Sequence, residues 1–125
     1  MSGINTAFNL LDTNVVLYFL GGRLTNPLPL GQYLVSVITE IELLSYPSLS
    51  SDEEIQIRDF LSKITVVEID GSIKELAIAL RKQYRLRLPD AIIAATAQSL
   101  NATLFTNDAR LANVTEINTQ SVQIL

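Results

Sequence analysis

The sequence predicts an α/β fold, specifically a three-layer α/β/α sandwich around a central, mainly parallel sheet. Short apolar runs typical of buried strands alternate along the chain with segments of helical periodicity, and this alternation favours parallel strands joined by right-handed crossovers. The chain has 125 residues and no Pro/Gly-rich linker divides it. Its length therefore suits a single domain that covers residues 1–125.

Five segments are predicted to be strands because each is a short apolar run bounded by turn or helix-entry residues. In chain order they are FNLL (8–11), YLVSVIT (33–39), TVVEI (65–69), ATLFT (102–106) and SVQIL (121–125). The first four carry few charges, as expected of strands that are covered on both faces.

The segments between these strands are predicted to be helices, except for a loop at residues 23–31 that contains two prolines. Gly21 and Gly22 are expected to end the first helix. Two capping boxes, Ser51 with Glu54 and Ser72 with Glu75, are expected to begin the third and fourth helices. The predicted helices cover residues 15–20, 40–46, 51–64, 73–84 and 90–100, with one or two further turns within 107–114.

The composition excludes several classes of enzyme. The chain contains neither cysteine nor histidine, so that thiol nucleophiles, Ser-His-Asp triads, paired-histidine ribonuclease chemistry and cysteine- or histidine-ligated zinc are all impossible. Catalysis must instead use carboxylates, a metal, hydroxyls, Lys, Arg or Tyr. The formal net charge of −4 argues against a broadly basic nucleic-acid-binding surface, although it does not exclude a metal-dependent nuclease.

Four acidic residues, Asp12, Glu42, Asp90 and Asp108, each lie where a strand is followed by a helix, or just inside that helix. In an open parallel sheet, functional groups gather beyond the carboxyl ends of the strands, near the point where the strand order reverses. Clustered carboxylates either raise some of their pKa values or bind a divalent cation, and oxygen ligands favour Mg²⁺ or Mn²⁺. The pattern therefore predicts a metal site.

Each acid also has a purely structural interpretation. Asp12 suits a helix N-cap, Asp90 suits the first turn of a helix, and Asp108 suits an Asx-turn. For any one of these residues alone the structural interpretation is the better one. The recurrence of acids at equivalent positions, together with Glu42 after a buried strand, favours the functional interpretation for the group.

Several motifs resemble those of the PIN-domain family, and most closely the small single-domain ribonucleases that act as toxins in bacterial toxin–antitoxin pairs. The motifs are LLDTN, VSVITEIELLSY and LPDAIIAATAQSLNATLFTND, and their order spans nearly the whole chain. The resemblance implies a PIN-like fold in which Asp12, Glu42, Asp90 and Asp108 form the catalytic and metal-binding set. It also implies cleavage of RNA with a 5′ phosphate on the product.

Further residues are assigned around this set. Glu42 is preferred to Glu40 as the helix acid, because a helix turns by about 200° over two residues and the two side chains cannot share a face. Asn14 and Thr106 resemble the polar helpers of the family, although ordinary turn chemistry explains Asn14 about as well. Arg85 and Arg87 close a basic stretch before Asp90 that also contains Arg81 and Lys82, and they are predicted to contact phosphates of the substrate. A solvated helix face explains the stretch equally well.

Three functional hypotheses follow from the sequence. A Mg²⁺- or Mn²⁺-dependent endoribonuclease, the toxin of a toxin–antitoxin pair, is preferred. The alternatives are a PIN fold kept as a non-catalytic binding module and an aspartate-based phosphotransfer domain. The latter normally needs a second acid at position 14, where this chain has Asn14.

Partners are predicted from the apolar composition, since 48% of the residues are hydrophobic. The helix at 15–20 and the loop at 23–31 are expected to border a groove for an amphipathic segment of an antitoxin. A homodimer through the same apolar surface is the other expectation. No membrane-spanning segment is predicted, and the chain is expected to be cytoplasmic.

Overall fold

The computed structural model describes residues 7–125 and places five parallel strands between two layers of helices. The strands are β1 (Phe8–Leu11), β2 (Gln32–Ser36), β3 (Thr65–Val67), β4 (Thr103–Phe105) and β5 (Asn118–Gln120). The helices are α1 (Thr13–Leu20), α2 (Val37–Leu44), α3 (Ser51–Ser62), α4 (Gly71–Tyr84), α5 (Leu88–Leu100) and α6 (Ala109–Ala112). The predicted fold class is confirmed. Every helix among residues 7–125 is too short or too polar to cross a bilayer.

The sheet has the strand order β3-β2-β1-β4-β5, and all four pairings are parallel. The chain first builds outward from β1 through β2 to β3, and it then returns to the other side of β1 to add β4 and β5. The order therefore reverses between β1 and β4. A crevice at the carboxyl ends of these two strands is where open α/β sheets bind their ligands.

Neighbouring residues of each central strand point to opposite faces of the sheet and enter two separate cores. Leu10 and Leu104 pack with α4 and α5 on one face, where Ile73, Leu80 and Ile93 are almost fully buried. On the other face, Leu11, Val35 and Phe105 pack with α1 and α3, through side chains that include Val15, Val16, Ile57 and Leu61. Both faces of the sheet are thus covered, which explains the nearly continuous apolar strands.

The last predicted strand is wrong. Residues 121–125 form no strand apart from an isolated bridge between Leu24 and Ile124, and β5 is instead the polar segment Asn118–Gln120. This strand lies at the edge of the sheet, where half-exposed side chains do not need to be apolar. A search for apolar runs therefore selects the wrong segment.

The second strand ends three residues earlier than predicted, because residues 37–39 begin α2. The hydroxyl of Ser36 accepts a hydrogen bond from the backbone N–H of Ile38 (3.1 Å) and caps this helix. The run Val37-Ile38-Thr39 is apolar enough for either element, and periodicity alone cannot separate a buried strand from a buried helix over so few residues.

Both predicted capping boxes need correction. The box of α3 uses Ser50 and Glu53 in place of Ser51 and Glu54. Of two consecutive serines the first is the N-cap, one residue earlier than predicted. The fourth helix begins at Gly71, and its cap is Asp70, whose carboxylate accepts from the N–H of Ile73 (2.8 Å). Asp is as good an N-cap as Ser, and its earlier position lengthens the helix.

Candidate active site

The four predicted acids all line one pocket at the carboxyl edge of the sheet, next to the reversal between β1 and β4. The pocket has a volume of about 230 Å³. Asp12 follows β1, Glu42 lies in α2, Asp90 lies in the first turn of α5, and Asp108 precedes α6. The remaining lining residues are Thr13, Asn14, Leu17, Leu43, Tyr46 and Arg87.

Asp12 is one of two buried acids of the site, with Asp90, and both of its carboxylate oxygens are held. Oδ1 accepts a hydrogen bond from the backbone N–H of Thr13 (2.7 Å), and Oδ2 accepts one from the hydroxyl of Thr106 (2.7 Å). Burial raises the pKa of Asp12 above its usual value, and the nearby charges of Asp90 and Asp108 raise it further, against the lowering effect of these two hydrogen bonds. The Asp12 carboxylate is therefore rigid but costly to ionise unless a cation is nearby.

Glu42 is oriented by two threonines. The hydroxyl of Thr13 donates to Glu42 Oε1 (2.6 Å) and also lies 2.9 Å from the hydroxyl of Thr39, which is fully buried in α2. The next residue, Leu43, is buried in the core and fixes the rotation of the helix. Glu42 lines the pocket, whereas Glu40 does not.

Asp90 forms an ion pair inside the pocket with Arg87. Arg87 Nε lies 3.1 Å from Asp90 Oδ2, and the Asp90 side chain is only 10% exposed. The hydrogen bond to Asp90 raises the pKa of Arg87, and the charges of Asp90, Asp108 and Glu42 add to this effect. Arg87 thus lies in the combined field of three of the four carboxylates and offsets part of their charge.

Asp108 is joined to Asp12 through Thr106. The hydroxyl of Thr106 accepts from the backbone N–H of Asp108 (3.0 Å) while it donates to Asp12. Asp108 Oδ1 caps α6 by accepting from the N–H of Arg110 (2.9 Å), and Arg110 Nε lies 3.5 Å from the same oxygen. Thr106 therefore connects the acids at the ends of β1 and β4.

The chemistry of this donor set fits a hard divalent cation. It consists of carboxylate and hydroxyl oxygens, which are the ligands that Mg²⁺ and Mn²⁺ prefer. Within residues 7–125, however, no three acids are positioned to ligate one ion directly, since each carboxylate is turned toward a Thr, Arg or backbone partner. Mg²⁺ commonly keeps several waters and binds through only one or two carboxylates, so that the pocket fits an ion held partly through water.

The other residues assigned from sequence are placed unevenly. Thr106 holds Asp12, and Asn14 lines the pocket on an exposed position of α1. Arg87 lines the pocket, but Arg85 does not; Arg85 ends α4 in a left-handed conformation (φ 56°).

Sequence reasoning missed the roles of Thr13 and Thr39 as supports of Glu42 and that of Tyr46 at the rim of the pocket. Thr13 directly follows Asp12, so that the motif Asp12-Thr13-Asn14 was the sequence signal that could have identified Thr13 as a site residue. Tyr46 follows the helix that carries Glu42, and its exposed position could not be read from the pattern.

Comparison with known proteins gives consistent results. A family model described as PIN domain matches residues 10–117. A chain of a toxin–antitoxin complex from Klebsiella pneumoniae is 33% identical, with a TM-score of 0.74 and coverage of 87% of this chain and 94% of that one. No functionally curated protein matches the chain.

Two further solved structures share the fold. VapBC-1 from nontypeable Haemophilus influenzae is 26% identical with a TM-score of 0.69, and the match covers 91% of this chain and 97% of the other. VapBC2 from Rickettsia felis, bound to a DNA fragment from its promoter, has a TM-score of 0.78 at 18% identity, with coverage of 93% and 99%. These matches extend over almost the full length of the compared chains.

Proposed function

The chain belongs to the PIN domain family, and from this premise we propose that it is a Mg²⁺- or Mn²⁺-dependent endoribonuclease that acts as the toxin of a toxin–antitoxin pair. PIN domains are nucleases that generally use a divalent metal. The observation that carries the proposal is the convergence of Asp12, Glu42, Asp90 and Asp108 on one pocket at the strand-order reversal. The single-domain organisation over residues 1–125 is part of the same proposal.

Each residue of the pocket has a separate role in the proposed hydrolysis. Asp12, Asp90 and Asp108 would hold the cation, in part through water, and Glu42 would complete the site directly or through water. A cation held there would supply Lewis acidity, which lowers the pKa of water and offsets charge on phosphate oxygens. Thr106 and Thr13 keep the Asp12 carboxylate fixed, which limits reorganisation during the reaction. Arg87 is the pocket's own cation for a phosphate of the substrate.

The two alternatives fit the pocket less well. Phosphotransfer to Asp12 normally uses a second acid at position 14 and a lysine beyond a later strand, but Asn14 occupies the first position and no lysine lines the pocket. A non-catalytic binding module has no need of four carboxylates in one cavity. Their presence, with two threonines that support Glu42, favours catalysis.

The proposed activity is tested by the products of cleavage. Purified protein is incubated with mixed RNAs in Mg²⁺ or Mn²⁺, and the product ends are mapped. Attack by water leaves a 5′ phosphate, whereas attack by the ribose 2′ hydroxyl leaves a 2′,3′-cyclic phosphate. Metal-dependent products with 5′ phosphates support the proposal, and cyclic phosphates would overturn its mechanism.

Arg87 is expected to weaken metal binding and to strengthen RNA binding, and one substitution tests both effects. Arg87→Ala removes the cation that competes for Asp90, so that we expect the affinity for Mn²⁺ in the absence of RNA to rise roughly two- to fivefold, the range of an exposed ion pair. The same change should weaken RNA binding and make it less dependent on salt, because one phosphate contact is lost. Isothermal titration calorimetry and fluorescence anisotropy measure the two effects.

The matched control is Arg85→Ala, which removes the same charge outside the pocket. It should leave Mn²⁺ affinity nearly unchanged. The interpretation of Arg87 is wrong if both variants shift Mn²⁺ affinity equally, or if Arg87→Ala weakens it.

We place the antitoxin in the groove that the sequence predicted. The groove has a volume of about 850 Å³ and lies between α1, the loop at 23–31 and α3. Its walls include Phe19 and Phe60, whose ring centroids are 5.7 Å apart, and Phe19 remains 43% exposed. An apolar groove of this kind fits the apolar face of an amphipathic helix. The K. pneumoniae relative is itself described as part of a toxin–antitoxin complex.

A second copy of the chain is assigned to a different face. The surface of α4 and α5 has an apolar groove of about 600 Å³ where Ile69, Ile78 and Leu88 are each about half exposed. One groove cannot hold an antitoxin and a second copy at the same time. We therefore propose that this α4–α5 face forms the homodimer.

Two substitutions test both surfaces and serve as controls for each other. Phe19→Asp should weaken binding of a co-expressed antitoxin at least about 30-fold, the loss of an anchor worth roughly 2 kcal/mol, while the mass measured by sedimentation stays that of the wild type. Ile78→Asp should produce monomers that still bind the antitoxin. The assignment of the two faces is wrong if these effects are exchanged.

A further inference from the structure

Tyr46 is an exposed aromatic residue at the rim of the carboxylate pocket. Its side chain is 56% exposed, although it lies one turn beyond Glu42 along the chain. A turn holds it in place, because the N–H of Leu49 donates to the carbonyl of Tyr46 (3.1 Å) with Pro47 at the second position, which suits a type I or II turn. An aromatic ring that extends from an ordered turn and is left open to solvent is available to a ligand.

A second cavity lies on the other side of Tyr46. It has a volume of about 240 Å³ and shares Leu17, Leu43 and Tyr46 with the carboxylate pocket. Its other lining residues are Ser48, Leu49, Glu53 and Ile57. A water molecule takes up about 30 Å³, so that the cavity has room for a planar ring in place of several waters.

We propose that this second cavity is a nucleobase subsite, in which a base of single-stranded RNA stacks on Tyr46 while its own or the adjacent phosphate lies over the carboxylates. The inference rests on the proposed nuclease function and adds the recognition of an unpaired nucleotide. The two cavities share a wall, as the base and phosphate of one nucleotide require. Single-stranded RNA is typically recognised by bases that are splayed out and stacked on aromatic side chains.

The chemistry of the cavity matches that of a base. Leu43 and Ile57 are buried and give it an apolar floor, which suits the faces of the ring. Ser48 and Glu53 provide hydroxyl and carboxylate groups at its edge for the polar rim of the base. The phosphate stays on the side of Arg87, away from the Glu53 carboxylate.

The proposal predicts a loss of affinity that does not depend on salt. Tyr46→Ala should weaken binding of a single-stranded RNA oligonucleotide about 5- to 150-fold, the range for one stacked base, with an unchanged salt slope. Arg87→Ala should instead lower the salt slope. Tyr46→Phe should bind like the wild type because it keeps the ring. Binding is measured by fluorescence anisotropy in Ca²⁺, which replaces Mg²⁺ to suppress cleavage.

An abasic substitution in the RNA locates the contact. Removal of one base beside the cleavage site should weaken binding to the wild type but have little further effect on Tyr46→Ala, since the two changes remove the same interaction. The matched control is Phe8→Ala, another exposed aromatic residue, which lies outside both cavities and should leave RNA affinity unchanged.

The outcomes separate this inference from the proposed function. If the wild type cleaves RNA with metal but Tyr46→Ala binds as tightly as Tyr46→Phe, the subsite is wrong and the nuclease stands. Additive effects of Tyr46→Ala and the abasic RNA would equally overturn it. If Tyr46→Ala weakens only antitoxin binding, the cavity belongs to the protein partner. A wild type that neither binds nor cleaves RNA contradicts both proposals.

Discussion

Asp12→Asn is expected to reduce RNA cleavage at least about 100-fold while the protein stays folded. Even residues that only support a metal ligand commonly change activity 10- to 100-fold, and Asp12 is one of the proposed ligands of the cation. The raised pKa of Asp12 means that the folded chain holds this proton more tightly than the unfolded chain does. Stability therefore falls as the pH rises from the unfolded pKa of Asp12 to its folded pKa, the full cost remains above the folded pKa, and a neutral Asn removes it.

The free energy of unfolding of Asp12→Asn should accordingly stay within about 1 kcal/mol of the wild type or rise. The single side-chain oxygen of Asn can still accept one of the two hydrogen bonds that Asp12 accepts. Asp108→Asn should also abolish most of the cleavage while the protein stays folded. Glu42→Gln and Glu40→Gln form a matched pair on one helix, of which only Glu42 lines the pocket. Loss of cleavage in Glu40→Gln, with full activity in Glu42→Gln, would refute the assignment of the helix acid.

Divalent metal is expected to raise the melting temperature. An ion that binds only the folded carboxylate set stabilises it by mass action, about 1.4 kcal/mol at a concentration ten times its dissociation constant. For a chain of this length the corresponding rise is roughly 5 °C. The rise in melting temperature is measured by differential scanning calorimetry with Mg²⁺ or Mn²⁺ at millimolar concentrations, compared with buffer that contains EDTA and no divalent metal.

Asp90→Asn should reduce this response to metal because it removes one of the proposed ligands, whereas Glu40→Gln should respond like the wild type. A melting temperature that does not change up to saturating Mg²⁺ and Mn²⁺ would contradict a metal site. An equal rise in the wild type and in Asp90→Asn would place the ion elsewhere on the protein.

The sequence predicted the general position of the site because topology determines it. Asp12 and Asp108 follow strands that are adjacent in the sheet, and parallel strands bring their carboxyl ends to one edge. The segment FNLL at 8–11 forms β1 as predicted, since a short apolar run before a helix-capping Asp allows few other structures. These features depend on local pattern and on the rules of chain connection.

Local pattern could not predict the contacts that orient the acids, although the family resemblance had assigned Thr106 as a polar helper. The hydroxyl contact between Thr13 and Thr39 spans 26 residues, and that between Thr106 and Asp12 spans 94. Such pairs form only after the sheet has assembled, and Thr is common enough in strands and helices that local pattern does not single out Thr39. The ion pair of Arg87 is local, but whether Arg87 or Arg85 faces Asp90 depends on where α4 ends.

The predicted boundaries of helices and strands were wrong where the same residues suit two structures. The start of α2 at Val37 lies inside an apolar run, and the edge strand β5 is polar. In both places packing against the rest of the fold determines the local structure, because packing outweighs intrinsic propensity.

The most direct test of the central claim is RNA cleavage by one preparation of the protein, treated with EDTA and then given Mg²⁺ or Mn²⁺, beside Asp12→Asn handled identically. If the four carboxylates act through a cation, cleavage stops with EDTA, returns with metal, and is absent from Asp12→Asn throughout. Cleavage that persists in EDTA, or that is equal in the wild type and in Asp12→Asn, would contradict a metal-dependent nuclease at this pocket.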